Sequence, residues 1–165
     1  MNTNAIRLIL VFYFLLSGET TMSETAASQA GPEMIVPIAI EKSFLNGKGL
    51  TDGDPGEFDD EGIEREEDSQ ANFRQHNFHT GKIMVSVYES DPATVQIDGS
   101  LYDEYVYILE GRLILTPEGG DSYEFTVGDS LVVPKGYKGE WRMPEPYREL
   151  IIIDTEFMQG AQAAE

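Results

Sequence analysis

The residue best placed to do chemistry is a carboxylate set in an apolar strand. Glu104 stands at the head of a predicted strand, Asp103-Glu104-Tyr105-Val106-Tyr107-Ile108-Leu109. Burial would raise its pKa and let it act as acid or base. As a structural residue it would pair with Arg112 or accept from a Tyr hydroxyl. No nucleophile–base pair accompanies it, so ligand binding or structure is preferred to catalysis. The single Trp, Trp141, offers a ring for stacking or simply fills a core. Other reactive types are scarce. There is no Cys, which excludes disulfides, thiolate zinc sites, iron–sulfur clusters and Cys nucleophiles. The two His, His76 and His79, lie in Arg74-Gln75-His76-Asn77-Phe78-His79. Three apart on extended chain they would face opposite sides, a poor metal clamp. They read as loop or edge residues, with paired metal ligation as the alternative.

Short β segments must position these side chains. Strands are predicted at 82–88, 94–98, 104–110, 112–116, 123–127, 130–133, 139–143 and 148–154. Turns fall at Glu110-Gly111, Glu118-Gly119-Gly120-Asp121, Gly128-Asp129 and Pro134-Lys135-Gly136. No helix-length amphipathic run interrupts them, so a sandwich or barrel is expected. Upstream, Met34-Ile35-Val36-Pro37-Ile38-Ala39-Ile40 is apolar, but Pro37 restricts it to an edge strand or packed arm.

Two segments carry a resemblance. One is Asp103-Glu104 followed by Ile108-Leu109-Glu110-Gly111. The other is Gly128-Asp129, then Pro134, Gly136, Gly139 and Trp141. This ordered set resembles the two cupin motifs, most closely the branch of ethanolamine-utilisation Q proteins and the ureidoglycine aminohydrolase cupin domain. Val85-Ser86-Val87-Tyr88-Glu89 is similar to that branch's Val-x-x-Trp-Glu, with Tyr for Trp. The resemblance covers residues 70–155 and implies an all-β cupin jelly roll (a double-stranded β-helix barrel) with an extended N-terminal arm. Gly111, Gly128 and Gly136 are independently explained as turn residues for which positive φ is cheap. They identify a scaffold and no chemistry.

Metal-binding cupins supply three His and a Glu. The resemblance puts the first two His positions at Asp98 and Ser100, or at Ile97 and Gly99, and the last at Gly139. Only Glu104 survives, and one carboxylate cannot hold Fe, Mn or Zn. The expectation is therefore no metal and no cofactor. Tyr88, Tyr102, Glu104, Arg112 and Trp141 are the candidate ligand-binding residues, with Glu104 the sole catalytic candidate.

Composition fits this picture and bounds the partners. The chain has 165 residues, is 41% hydrophobic, and carries 30 acidic against 11 basic residues, a net charge of −19. That charge argues against nucleic acid and anionic membranes. Between 52 and 68, ten acidic residues face only Arg65, which is −9 in 17 residues and reads as a solvated loop. At the N-terminus, Arg7 and the run from Leu8 to Leu16 resemble a short signal peptide too short to span a bilayer. The rival is an internal start at Met22. In a bacterial gene, Gly18-Glu19 can be encoded by a purine-rich ribosome-binding sequence. The internal start is preferred and would make the protein cytoplasmic; residues 1–18 would otherwise send it to the periplasm or outside.

The expected organisation is a signal-like segment and polar tail at 1–33, arm and acidic loop at 34–69, barrel at 70–155, and a tail at 156–165. The leading expectation for function is a metal-independent barrel that binds a small polar organic molecule. The resemblance adds a homodimer, to which the arm would contribute at a neighbouring sheet edge. The alternatives are a ureidoglycine aminohydrolase-like hydrolase or another cupin-type small-molecule enzyme, and a structural or regulatory module.

Overall fold

The computed structural model describes residues 35–53, 64–65 and 72–156. Residues 1–34, including both candidate starts, lie outside this range, as do most of the acidic run and the C-terminal tail beyond Glu156. The strands are β1 (Thr51–Asp52), β2 (Glu64–Arg65), β3 (Phe73–Thr80), β4 (Ile83–Ser90), β5 (Ala93–Asp98) and β6 (Glu104–Glu110). They continue with β7 (Arg112–Pro117), β8 (Tyr123–Thr126), β9 (Ser130–Val133), β10 (Lys138–Met143) and β11 (Tyr147–Asp154). One sheet has the order β1-β3-β4-β11-β6-β9 and the other β2-β5-β10-β7-β8, with antiparallel pairing throughout. The two sheets close into a jelly-roll barrel. No helix of the described residues is long and apolar enough to cross a membrane.

Side-chain alternation explains why these segments pair with their apolar sides inward. On β6, Val106 and Ile108 are fully buried while Tyr105 and Tyr107 remain exposed. Their partners in the core are Leu113 and Leu115 from β7, Val133 from β9, Trp141 and Met143 from β10, and Tyr147 from β11. On β4 the alternation disappears, and Met84, Val85, Ser86 and Val87 are all buried. This strand is central in its sheet, and beside it His76 of β3 meets α1 (Lys42–Leu45). Phe44 of α1 stacks on His76 of β3 with ring centroids 3.6 Å apart and planes 5° from parallel.

The outer face also carries a charged network. Arg148 on β11 donates to Glu89 at 2.8 Å, pairs with Glu110, and reaches the Leu45 carbonyl; Glu89 in turn pairs with Arg74. A register shift between β11 and β6 makes this possible. Arg148 opposes Glu110 while Glu149 opposes Ile108, so Leu109 is the extra residue of a β-bulge. The bulge turns Glu110 outward to meet Arg148.

Three expectations are corrected. The segment around the histidines is strand β3. A bulge between Asn77 and His79 sets His76 opposite Val87 and His79 opposite Val85. Because Val85 and Val87 share a face, the two histidines do not point to opposite sides as regular alternation requires. The arm residues 35–40 form no strand and do not pack on the barrel; Ile35 is 98% exposed and Val36 60%. The acidic run, most of which lies outside the described residues, is strand at Asp52, which belongs to β1, paired with β3, and at Glu64 and Arg65, which form β2, paired with β5.

Candidate functional site

The inner face of the six-stranded sheet gathers the polar groups of the interior. Glu104 opens β6 opposite Val133 of β9 and Ile153 of β11. Alternation along β11 sends Tyr147, Glu149, Ile151 and Ile153 to the same inner face. Tyr147 is fully buried and Glu149 4% exposed. Across from them on β4, Tyr88 opposes Glu149 and Ser86 opposes Ile151. The two glutamates are thus two rungs apart, and Ser86 stands on the rung between.

Hydrogen bonding and electrostatics tie the cluster together. The Tyr147 hydroxyl donates to Glu149 Oε2 at 2.5 Å. Tyr88 stacks on Phe73 of β3 at 5.9 Å between ring centroids. Ser86 Oγ is buried and has no hydrogen-bond partner among the described residues. Glu104 as a residue keeps partial exposure at the strand end, yet burial of its carboxyl pushes its pKa up to about 7. Glu149 is pushed well above the carboxylate range, first by burial and then by the Glu104 charge; the Tyr147 hydrogen bond pulls the other way. Burial, and next the Glu149 charge, raise the Tyr147 phenol. A carboxyl that titrates near neutrality can hold or release a proton at physiological pH.

The remaining predicted site residues lie elsewhere. Trp141 is on β10, in the opposite sheet, packed between Val95 and Leu115 as part of the core. Tyr102 is half-buried in the loop before β6, where its carbonyl accepts from Ser100 Oγ at 2.8 Å. Arg112 does not reach Glu104. Leu113 takes the inward position on β7, so Arg112 faces out and meets Glu124 at 3.2 Å and Glu145 at 3.5 Å. His76 is engaged by Phe44 on the outer face.

The positions at which metal-binding cupins place histidines are occupied differently. Asp98 has an 83% exposed side chain and pairs with Lys138 at 2.6 Å. Gly139 has φ +149, and a Cβ there would lie 2.2 Å from the Thr116 carbonyl oxygen. That contact is with backbone, so no larger residue fits without moving β7. Among the described residues, no three His, Asp or Glu side chains converge in a way that could hold a metal ion.

Glu149, Tyr147 and Ser86 were absent from the sequence reading. The signal for Glu149 was a lone Glu at the head of the apolar run Leu150-Ile151-Ile152-Ile153. Adjacent Arg148 disguised it as a surface charge pair.

Comparison with known proteins follows the fold. Residues 79–149 match the family model of the EutQ-like cupin domain. An ethanolamine utilization protein Q structure from Salmonella typhimurium is 24% identical, over 50% of this chain and 68% of that one, with a TM-score of 0.45. The EutQ protein of Clostridium difficile is 19% identical over 53% and 71% of the two chains, with a TM-score of 0.47. A Pseudomonas syringae protein of unknown function gives a TM-score of 0.51 at 20% identity; 63% of this chain aligns with 43% of that one. No curated protein matches the chain.

Proposed function

We propose that the barrel containing residues 79–149, which match the EutQ-like cupin domain, binds a small polar organic molecule against Glu104, Glu149 and Tyr147 without a transition metal. The observation that carries this reading is the inward-facing pair of glutamates, with Tyr147 donating to Glu149 at 2.5 Å. Structural cores rarely keep two carboxyls, because each must be protonated or paired to stay buried. Keeping two on one inner face is a cost that ligand binding explains. Trp141 and the core side chains around it supply an apolar wall for the carbon skeleton of such a molecule.

The donor set does not suit a metal. Gly139 closes one ligand position against Thr116, and Asp98 is turned to Lys138. Two carboxylates with a phenol lack the imidazoles that hold Fe, Mn or Zn in barrels of this kind. Chemistry here would be proton transfer by Glu104, whose pKa of about 7 suits either direction at neutral pH.

A metabolite screen read by Trp141 fluorescence and thermal shift tests the proposal. At least one small polar compound should stabilise the wild type, and Glu149→Gln should abolish its effect. A screen without hits would overturn the reading in favour of a structural module. Stoichiometric transition metal in purified protein would overturn its metal-free part.

A further inference from the structure

Among the described side chains, the interior holds two acids and no base. Arg74, Arg112, Lys138, Arg142 and Arg148 are ion-paired on outer surfaces, with Glu89, Glu124, Asp98, Glu140 and Glu110 among their partners. His76 is stacked under α1, His79 opposes Val85 on the outer face of β4, and the described lysines apart from Lys138 are exposed. Among the described side chains, therefore, nothing cationic faces Glu104 or Glu149. Glu149 meets Tyr147 from its own strand, Tyr88 from β4 and the charge of Glu104 from β6. Among the described groups, only protons can neutralise Glu104 and Glu149, unless a cation enters the barrel.

Ser86 adds an independent observation. Its hydroxyl is buried on the inner face, on the rung between those of the two glutamates, and has no partner among the described residues. A buried hydroxyl left unpaired costs free energy comparable to a lost hydrogen bond, so the position is explained if something occupies it. Two carboxylates and one hydroxyl give three acceptors on three neighbouring strands. A primary ammonium group has three N–H donors and one positive charge.

We propose that the ligand of this barrel is a small organic cation whose primary ammonium donates to Glu104, Glu149 and Ser86. The inference rests on the reading that the barrel is a ligand site and names the class of molecule that site takes. Partly exposed Glu104 marks the entrance, with Glu149 beneath it. Binding displaces the protons that neutralise the carboxyls in the free protein, and their release accompanies association.

Calorimetry with n-propylammonium chloride, n-propanol and sodium propionate at pH 7 tests this, in two buffers of different ionisation enthalpy. Sodium chloride at about 0.15 M screens the surface acids. The expected result is binding of the ammonium ion alone, with about one proton released per ligand. Glu149→Gln and Ser86→Ala should each weaken it, the first by about tenfold or more, the worth of one charge-assisted hydrogen bond. Thermal melts of both variants verify folding, and tetramethylammonium, which lacks N–H donors, should not bind. Binding of propanol or propionate in place of the ammonium ion overturns the cation assignment and leaves the barrel as a ligand site. Ammonium binding insensitive to both substitutions overturns the placement. No binding by any of the probes, joined to a metabolite screen without hits, overturns both readings.

Discussion

Substituting Glu104 by Gln removes an ionisable group that the folded state holds protonated and the unfolded state does not. The carboxyl titrates at 4.5 when unfolded and at about 7 when folded, raised by burial. Between those values the folded protein binds more protons than the unfolded chain, so stability falls as pH rises through this window. The loss begins near pH 4.5 and is complete above about pH 7. At about 1.4 kcal/mol per pH unit it amounts to roughly 3 kcal/mol. Gln keeps the shape of the protonated side chain and has no charge to bury. It also removes the charge that raises Glu149, which acts in the same direction. Glu104→Gln should therefore match the wild type near pH 4.5 and exceed it by about 3 kcal/mol at pH 8, a rise in Tm on the order of 10 °C. Urea denaturation of both proteins at half-unit steps across this range measures the difference directly. Parallel stability curves, or a variant less stable than wild type at pH 8, would show that Glu104 is ionised and satisfied in the folded state. The site would then have no proton to give.

Two further substitutions test the frame around the site. Gly139→Ala puts a Cβ 2.2 Å from the Thr116 carbonyl oxygen and 2.8 Å from Pro117 Cα, contacts that only backbone movement can relieve. It should cost at least about 3 kcal/mol, whereas Gly136→Ala, at φ +85 with open space around it, should cost about 1 kcal/mol; equal losses in urea denaturation would contradict the steric closure. Arg148→Ala leaves Glu89 and Glu110 without their shared guanidinium and releases the tether to Leu45. A loss of about 2 kcal/mol is expected, discounted for the partial exposure of Glu110. A change under about 0.5 kcal/mol, the range of ordinary surface substitutions, would remove Arg148 from the framework.

Strands with clean alternation and a turn at each end were legible in the sequence. β6 and β9 occupy the predicted residues because Val106, Ile108 and Val133 alternate with exposed neighbours. β3 was missed because Phe73–Thr80 is mostly polar, and part of what covers it comes from Phe44, which is distant in sequence. A four-residue helix such as α1 has too few residues to show a period and is held by tertiary contact. Bulges left no trace in the pattern, yet one decides where the histidines face and another turns Glu110 outward. Within the site, Glu104 was readable from the motif that runs from Asp103-Glu104 to Glu110-Gly111. Glu149 was hidden beside Arg148, whose partners Glu89 and Glu110 lie 59 and 38 residues away. Arg112 was misplaced because the run Leu113-Ile114-Leu115 conceals the phase of its strand, and only the register shows Arg112 pointing out.

The carboxyl titration of Glu104 and Glu149, followed by carbon-detected NMR on the folded wild type and on Glu104→Gln, tests the central claim most directly. Glu104 should titrate at about 7. Glu149 should titrate well above the ordinary carboxylate range and move down when Glu104 is replaced. If both carboxyls titrate near 4.5 and neither responds to the other, the barrel contains no acid pair and the proposed site falls.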